Sequence, residues 1–319
     1  MGAVASLMNE YGRKGTPFLF ILDFDLKNPI VRELKAIDPG QLLYDLNGVT
    51  NATREVVPDL LEFEVHPVSE KRYREAFQHV ISHINYGNSF LLNLTMPSMV
   101  KMNLTLREVF HICQAKYKLW FSEEFVVFSP ETFIRMENGR ISAFPMKGTI
   151  DASVDDAENK LRSSRKELAE HFTIVDLIRN DLSIVAHDVQ VKSFQHIDRI
   201  RTNRKELLQM SSEITGTVRA EYRERLGDMI LQMLPAGSIT GAPKKKTIEV
   251  IREAEQYDRG YYTGIFGIFD GKNLDSGVMI RYLERSGDAF IYKSGGGITA
   301  LSKVEDEYRE LLDKIYLPL

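Results

Sequence analysis

The chain has 319 residues, 43% hydrophobic and 27% charged, the balance of a globular enzyme with room for one large domain or two smaller ones. A formal net charge of −4 and a pI near 6.0 give no bulk attraction for nucleic acid or an anionic membrane surface. One cysteine, Cys113, excludes an intrachain disulfide and argues against a cysteine-ligated zinc site, and no apolar run is long enough to span a bilayer.

The N-terminus has no basic-then-apolar signal, so the cytoplasm is the expected location. In chain order, residues 17–24 read as a buried strand. Residues 70–86 read as a helix closed by Gly87, 88–96 as an extended apolar run, and 104–118 as a helix. Short strands follow over 124–144, broken by the hairpin signal Glu137-Asn138-Gly139. The longest helical pattern covers 153–180. A strand near 188–195 precedes helices near 221–233 and 243–256. Strands over 261–270, 274–284 and 288–294, joined by tight turns, lead to a last helix over 303–316. Hairpins outnumber helical crossovers. The expected fold is therefore α+β, with mostly antiparallel sheets and helices outside.

Lys147 lies in Phe144-Pro145-Met146-Lys147-Gly148-Thr149, read as a turn at a strand end. Apolar burial there would lower its pKa and free its lone pair for nucleophilic work. Glu131, in Ser129-Pro130-Glu131, stands sixteen residues earlier and supplies a carboxyl group.

Two carboxylate pairs stand three residues apart, Glu167 with Glu170 and Glu307 with Glu310. Each pair shares one helical face. Two such helices facing each other could hold a hard dication through oxygen ligands, as Mg²⁺ is commonly held. From spacing alone a solvated face is the simpler account. The apolar run after Glu170 favours a partnered carboxylate instead, because a buried unpaired one is costly.

Two glycine-rich segments suit an anionic ligand. Leu234 to Lys244 leads into a helix whose N-terminus favours negative charge, although it lacks the ending of a Walker A loop. Ser294-Gly295-Gly296-Gly297-Ile298-Thr299 follows a strand, and its three glycines could turn several amides towards one anion. Arg281, read within a strand, offers a guanidinium for a carboxylate. The histidines His66, His79, His83, His111, His171, His187 and His196 show no metal-ligand spacing. Cys113 reads as a buried helical residue outside any nucleophile elbow.

Taken in order, seven blocks closely resemble the chorismate-utilising enzymes. They are Ser129-Pro130-Glu131, Pro145 to Thr149, Glu167 to His171, Ile174 to Asp181, Gly237 to Lys244, Ile280-Arg281 and Gly295 to Ile298. The resemblance covers about residues 70–317 and implies a single catalytic domain over 1–319. Its fold would be two large, mostly antiparallel sheets packed together, with the site between them.

Within that family the lysine in the Pro-x-Lys-Gly-Thr run resembles the branch that forms 4-amino-4-deoxychorismate for para-aminobenzoate and folate. Relatives that form anthranilate or isochorismate usually carry alanine there. The resemblance implies Lys147 as a covalent nucleophile at C2 of chorismate and Glu131 as general acid. It implies Glu167, Glu170, Glu307 and Glu310 as holders of Mg²⁺. Gly148, Thr149, Tyr262, Arg281, Gly295, Gly296, Gly297 and Lys244 are the implied substrate contacts.

Three departures refine this expectation. Leu91 stands where isochorismate-forming relatives carry a water-activating lysine. Gln209 replaces a histidine common in the family and is left a positioning role. The tryptophan-binding pattern of larger members is not evident. With no glutaminase site expected, ammonia would come from solution or from a glutamine amidotransferase subunit. The rival readings are anthranilate synthesis and a non-catalytic chorismate-binding subunit.

Overall fold

Strand β1 (Phe18–Leu22) is apolar at every position and buried throughout. Such a strand must be covered on both faces. Its alternate side chains go to different cores. Leu19 and Ile21 point between two sheets, where they meet Leu42, Tyr44, Leu119, Val127, Phe266 and Ile268. Phe18, Phe20 and Leu22 point outward to Met8, Leu226 and Met229. The computed structural model describes residues 2–53, 55–57, 62–201 and 206–319, with only the backbone described for Thr149, Arg165, Lys166, Ile200, Arg201 and Leu207.

The N-terminal part holds α1 (Gly2–Lys14), β1, β2 (Ile30–Glu33), β3 (Leu42–Leu46), β4 (Val49–Thr50), β5 (Phe63–His66) and α2 (Glu70–Asn85). Next come β6 (Leu91–Met102), α3 (Leu106–Ile112), β7 (Tyr117–Phe121), β8 (Phe125–Ser129), β9 (Thr132–Glu137), β10 (Arg140–Ala143) and β11 (Met146–Asp151). Helices α4 (Ala157–Ser163) and α5 (Arg165–Val185) lead into β12 (Ala186–Arg201) and β13 (Glu206–Val218). The last part holds α6 (Leu226–Gln232), β14 (Gly241–Ala242), α7 (Lys244–Glu255), β15 (Ile265–Phe269), β16 (Leu274–Val278), β17 (Tyr282–Ser286), β18 (Ala289–Ile298) and α8 (Val304–Asp313).

One sheet runs β11-β13-β10-β9-β16-β15-β1-β2, with β12 also on β13. The other runs β14-β6-β18-β17-β8-β7-β3-β4, with β5 also on β6. Every described pairing is antiparallel. The outer face of the first sheet buries α1, α5 and α6, and that of the second buries α2, α3, α7 and α8. This is the expected two-sheet α+β architecture.

Several boundaries differ from the sequence reading. Helix α3 stops at Ile112 because Cys113 turns extended (ψ 137°), and residues 117–121 join a sheet instead. Cys113 is buried, as expected, but caps the helix rather than sitting inside it. The long helix divides at Ser164, which is extended and whose hydroxyl accepts from the Glu167 amide to start α5. The strand near 188–195 is one arm of a long hairpin with β13, a strand absent from the sequence reading although Leu208, Met210, Ile214 and Val218 alternate along it. Helix α1 was likewise not anticipated. Residues 274–284 form two strands, since the chain breaks after Val278 and Arg281 takes φ +53°.

Candidate active site

Lys147 does not sit in a turn. It lies in β11, the border strand of the first sheet, where the register on β13 shifts between Lys147 and Thr149. Gly148 makes this bulge with φ +75°. A methyl on Gly148 would meet Leu161 Cδ1 at 2.9 Å and Glu167 Oε2 at 3.1 Å, so only glycine lets α4 and α5 lie this close. The Lys147 surroundings are not wholly apolar. Its Nζ is 3.6 Å from Glu170 Oε2, and its side chain keeps 22% exposure.

The glycine run is not a loop. Gly295, Gly296 and Gly297 belong to β18, in register with Thr95, Leu94 and Asn93 of β6. Gly295 is pressed against β6, where a methyl would collide with the Leu94 carbonyl oxygen, whereas Gly296 and Gly297 leave room for side chains of the site. A methyl on Gly297 would meet Leu91 Cδ1 at 3.1 Å and Lys147 Nζ at 3.4 Å. One on Gly296 would meet Glu310 Oε1 at 3.1 Å and Lys314 Nζ at 3.5 Å. The bare strand thus forms a floor on which an amine from the first sheet and the side chains of α8 converge.

Lys314 was not anticipated. At the C-cap of α8, its Nζ donates to Glu310 Oε1 at 2.6 Å and to the Gly295 carbonyl at 2.8 Å. Burial pulls its pKa down and nearby Lys147 adds to this, while Glu310 opposes both. The i, i+4 spacing from Glu310 was the available signal. Arg281 Nη1 donates to the Lys314 carbonyl at 2.8 Å, and the guanidinium lies 4.9 Å over the Tyr316 ring. Among the described residues its Nε is buried without a hydrogen-bond partner, so a donor is left for a ligand oxygen.

Glu131 follows β8. Its Oε1 accepts from the hydroxyl of Ser238, on the loop before β14. Burial pushes its pKa up, opposed by the Ser238 bond and by the positive charges of Lys147 and Lys314. Tyr262 is buried, its ring centroid 5.7 Å from that of Tyr282. Burial raises its phenol pKa; Arg259 opposes this and Glu131 is among the nearby charges that add to it.

Lys244 is engaged elsewhere. Its Nζ lies 2.8 Å from Asp181 Oδ1 on α5 and donates to the Met233 carbonyl at 2.8 Å. It ties the 234–243 loop to α5. Asp181 is itself buried, and that burial pushes its pKa up against the pull of Lys244. The Thr149 side chain lies outside the described residues.

Glu170 and Glu307 are buried, while Glu167 and Glu310 are half-buried. Glu307 and Glu310 both act on the hydroxyl of Tyr73, whose pKa is raised chiefly by burial. The donors are hard carboxylate oxygens beside a solvent-reaching amine, chemistry that fits a hard dication. No three of these carboxylates come within 4.8 Å of one another. Among the described residues that spacing occurs only at His79, His83 and Glu253, a cluster the sequence reading did not foresee.

A network below the floor fixes these segments. Arg259 donates to both Glu255 oxygens at 2.6 and 2.8 Å, to the Asn93 carbonyl at 2.7 Å and to the Ile239 carbonyl at 3.0 Å. Glu255 Oε1 also accepts from the Thr95 amide and hydroxyl, both at 2.8 Å. One buried ion pair therefore couples β6, α7 and the 234–243 loop.

A profile of chorismate binding enzymes matches residues 35–319. The chain belongs to the chorismate binding enzyme family. It is 48% identical over 311 residues to an uncharacterized PabA-like protein of Haemophilus influenzae, covering 98% of this chain and 95% of that one. It is 32% identical over 262 residues to an anthranilate synthase component 1 of Haloarcula marismortui, covering 77% and 50%. It is 29% identical over 289 residues to the aminodeoxychorismate synthase component 1 of Bacillus subtilis, covering 86% and 60%. The menaquinone-specific isochorismate synthase of Escherichia coli shares the fold, with a TM-score of 0.72 at 15% identity over 98% of this chain and 80% of that one.

For this chorismate binding enzyme the surroundings of Gly297 are informative. Leu91 is buried and packs with Ile174 and Leu177 of α5, so an apolar side chain stands beside the Lys147 amine. His171 is fully buried, 2.7 Å from the Ser212 hydroxyl, and burial drives its pKa down to about 4. Its ring lies 5.7 Å from that of Phe194. Gln209 lies in β13 opposite Thr149 of β11.

Proposed function

We propose that this chain aminates chorismate to 4-amino-4-deoxychorismate, with Lys147 as a transient covalent nucleophile. The observation that carries this reading is the Lys147 amine held over Gly297 beside Leu91, in reach of Glu170 and within the field of Glu131. Leu91 cannot activate a water. Of the two amines at this floor, Lys314 is held by Glu310 and the Gly295 carbonyl, which leaves Lys147 as the nucleophile of this reading.

The neutral Lys147 amine attacks C2 of chorismate. The C1–C2 double bond moves to C1–C6, the C5–C6 double bond to C4–C5, and the C4 hydroxyl leaves as water with a proton from Glu131. The raised pKa of Glu131 keeps that proton available. Ammonia then attacks C4, both double bonds return, and the C2–N bond breaks to release Lys147. The proton shed by the new amine resets Glu131. Had ammonia attacked C2 directly, the product would be the 2-amino isomer. The lysine therefore sets the regiochemistry.

Arg281 and the side-chain-free strand at Gly296 and Gly297 suit the enolpyruvyl carboxylate. Glu167, Glu170, Glu307 and Glu310 would hold Mg²⁺, which when bound supplies positive charge for the ring carboxylate. Cys113 is buried with its thiol pKa pushed up, unsuited to glutamine hydrolysis, so ammonia comes from an amidotransferase partner or from solution.

The test is product identity. Purified protein is incubated with chorismate, Mg²⁺ and ammonium, and products are separated and weighed by mass spectrometry. A 4-amino-4-deoxychorismate product, absent with Lys147→Ala, supports the reading. Anthranilate from both proteins would replace it with direct attack at C2. Chorismate bound but unconverted, even with an amidotransferase present, would indicate a binding subunit.

A further inference from the structure

Away from the chorismate site, three side chains meet where α2 packs on α7. His79 and His83 stand four apart on α2, so their rings share one face, with centroids 4.7 Å apart. Glu253 of α7 places Oε2 3.2 Å from His79 Nε2 and 3.8 Å from His83 Nε2. One carboxylate oxygen thus faces two imidazole nitrogens, and the second lies beyond hydrogen-bond range. Metal–ligand bonds of about 2.0–2.1 Å at tetrahedral angles put neighbouring ligand atoms roughly 3.3 Å apart. The two separations from Glu253 bracket that value, and all three ligand atoms lie within 4.8 Å of one another.

We propose that His79 Nε2, His83 Nε2 and a Glu253 carboxylate oxygen bind a borderline divalent cation, Zn²⁺ fitting best, with water in the fourth position. Two imidazoles select Zn²⁺ over the Mg²⁺ preferred by all-oxygen sites. An outer partner is in place. His83 Nδ1 lies 2.8 Å from the side-chain amide nitrogen of Asn88. Turning that amide over brings its oxygen to Nδ1–H and frees the Nε2 lone pair for the metal. The side chains keep 38%, 22% and 52% exposure, so an ion enters directly from solvent. Lys246, the cation that feels Glu253, is already paired with Glu249 at 2.9 Å. The bound ion clamps α7, which begins directly after the loop carrying Ser238, to α2.

Equilibrium dialysis with Zn²⁺ tests this on the wild type, Glu253→Gln and a His79→Ala/His83→Ala double variant. Carboxylates of the chorismate site can also take Zn²⁺, so the decisive quantity is the difference in stoichiometry. The wild type should hold one more Zn²⁺ than the double variant, and Glu253→Gln should weaken that ion at least tenfold. Loading with Co²⁺ should give the intense visible absorption of a tetrahedral ion in the wild type alone. Mg²⁺-dependent chorismate turnover, unchanged in the variants, reports that they are folded. Equal Zn²⁺ stoichiometry in wild type and double variant, or matching Co²⁺ spectra, would overturn the site.

Discussion

The Ser238 hydroxyl donates to Oε1 of Glu131, joining the loop before α7 to the carboxyl group after β8. This bond favours the ionised carboxylate, whereas burial favours the acid. Removing it with Ser238→Ala should raise the Glu131 pKa further. The alkaline limb of the kcat pH profile, set by loss of the acid form, should then move upward. An unmoved limb would take Glu131 out of the role of acid.

Glu131→Gln separates activity from stability. It should lower kcat by about 10²- to 10⁴-fold, the usual worth of a general acid. The folded pKa of Glu131 is raised, so its contribution to stability is full below the unfolded pKa and lost as pH rises through the folded value. Glutamine carries no such loss. The Tm of the variant relative to wild type should therefore increase from pH 4 to pH 8. A constant Tm difference across that range would argue against a desolvated carboxyl group.

Lys147→Arg keeps a positive charge for Glu170 but removes the nucleophile, because guanidinium does not deprotonate in this range. Formation of 4-amino-4-deoxychorismate should fall at least ~10³-fold, a loss of about 4 kcal/mol of transition-state stabilisation. Chorismate affinity measured by calorimetry should change far less. A variant with most of its activity would reduce Lys147 to a charge.

Gly296→Ala places a methyl 3.1 Å from Glu310 Oε1 and 3.5 Å from Lys314 Nζ. The Glu310 carboxylate must then shift by a few tenths of an ångström, while Lys314 stays in ordinary contact. Steady-state kinetics should show KM for chorismate rising roughly tenfold, about 1.4 kcal/mol, with kcat less affected. An unchanged KM would place the substrate away from this strand.

The Glu255–Arg259 pair is almost fully enclosed, at 1% and 2% side-chain exposure. Arg259→Met alone strands a buried carboxylate and should cost about 3–5 kcal/mol in denaturant unfolding. Adding Glu255→Gln to it should restore part of that loss. If the double variant were as unstable as the sum of the singles, the two residues would not be acting as a pair.

The family motifs were more legible than the geometry they take up. Glu131, Lys147, Gly148 and the glutamate pairs lie in short motifs whose spacing survives in a linear reading. Antiparallel sheets with helices outside followed from the hairpin turns, whereas the two-sheet plan came with the family resemblance, and the split of Leu19 and Ile21 from Phe18 and Phe20 accords with it. What the local pattern could not carry was pairing across the chain. Gly295–Gly297 read as a loop because nothing nearby announces Asn93–Thr95 as their partners. Lys244 pairs with Asp181, sixty-three positions earlier, and so sits apart from the other substrate candidates. His79 and His83 have readable helical spacing, but Glu253 completes their cluster from 174 residues away.

The same floor has a consequence for how the chain can be divided. Glu131, Lys147, Glu167 and Glu170 all precede the end of β13, whereas Ser238, Arg281, the three glycines, Glu307, Glu310 and Lys314 all follow it. A cut after Arg223, between two exposed residues, would leave each fragment with one glutamate pair and one of the two amines, and with neither a complete acid nor a complete floor. Chorismate turnover would then report reassembly of the two polypeptides, making this enzyme a natural split reporter of its own sandwich.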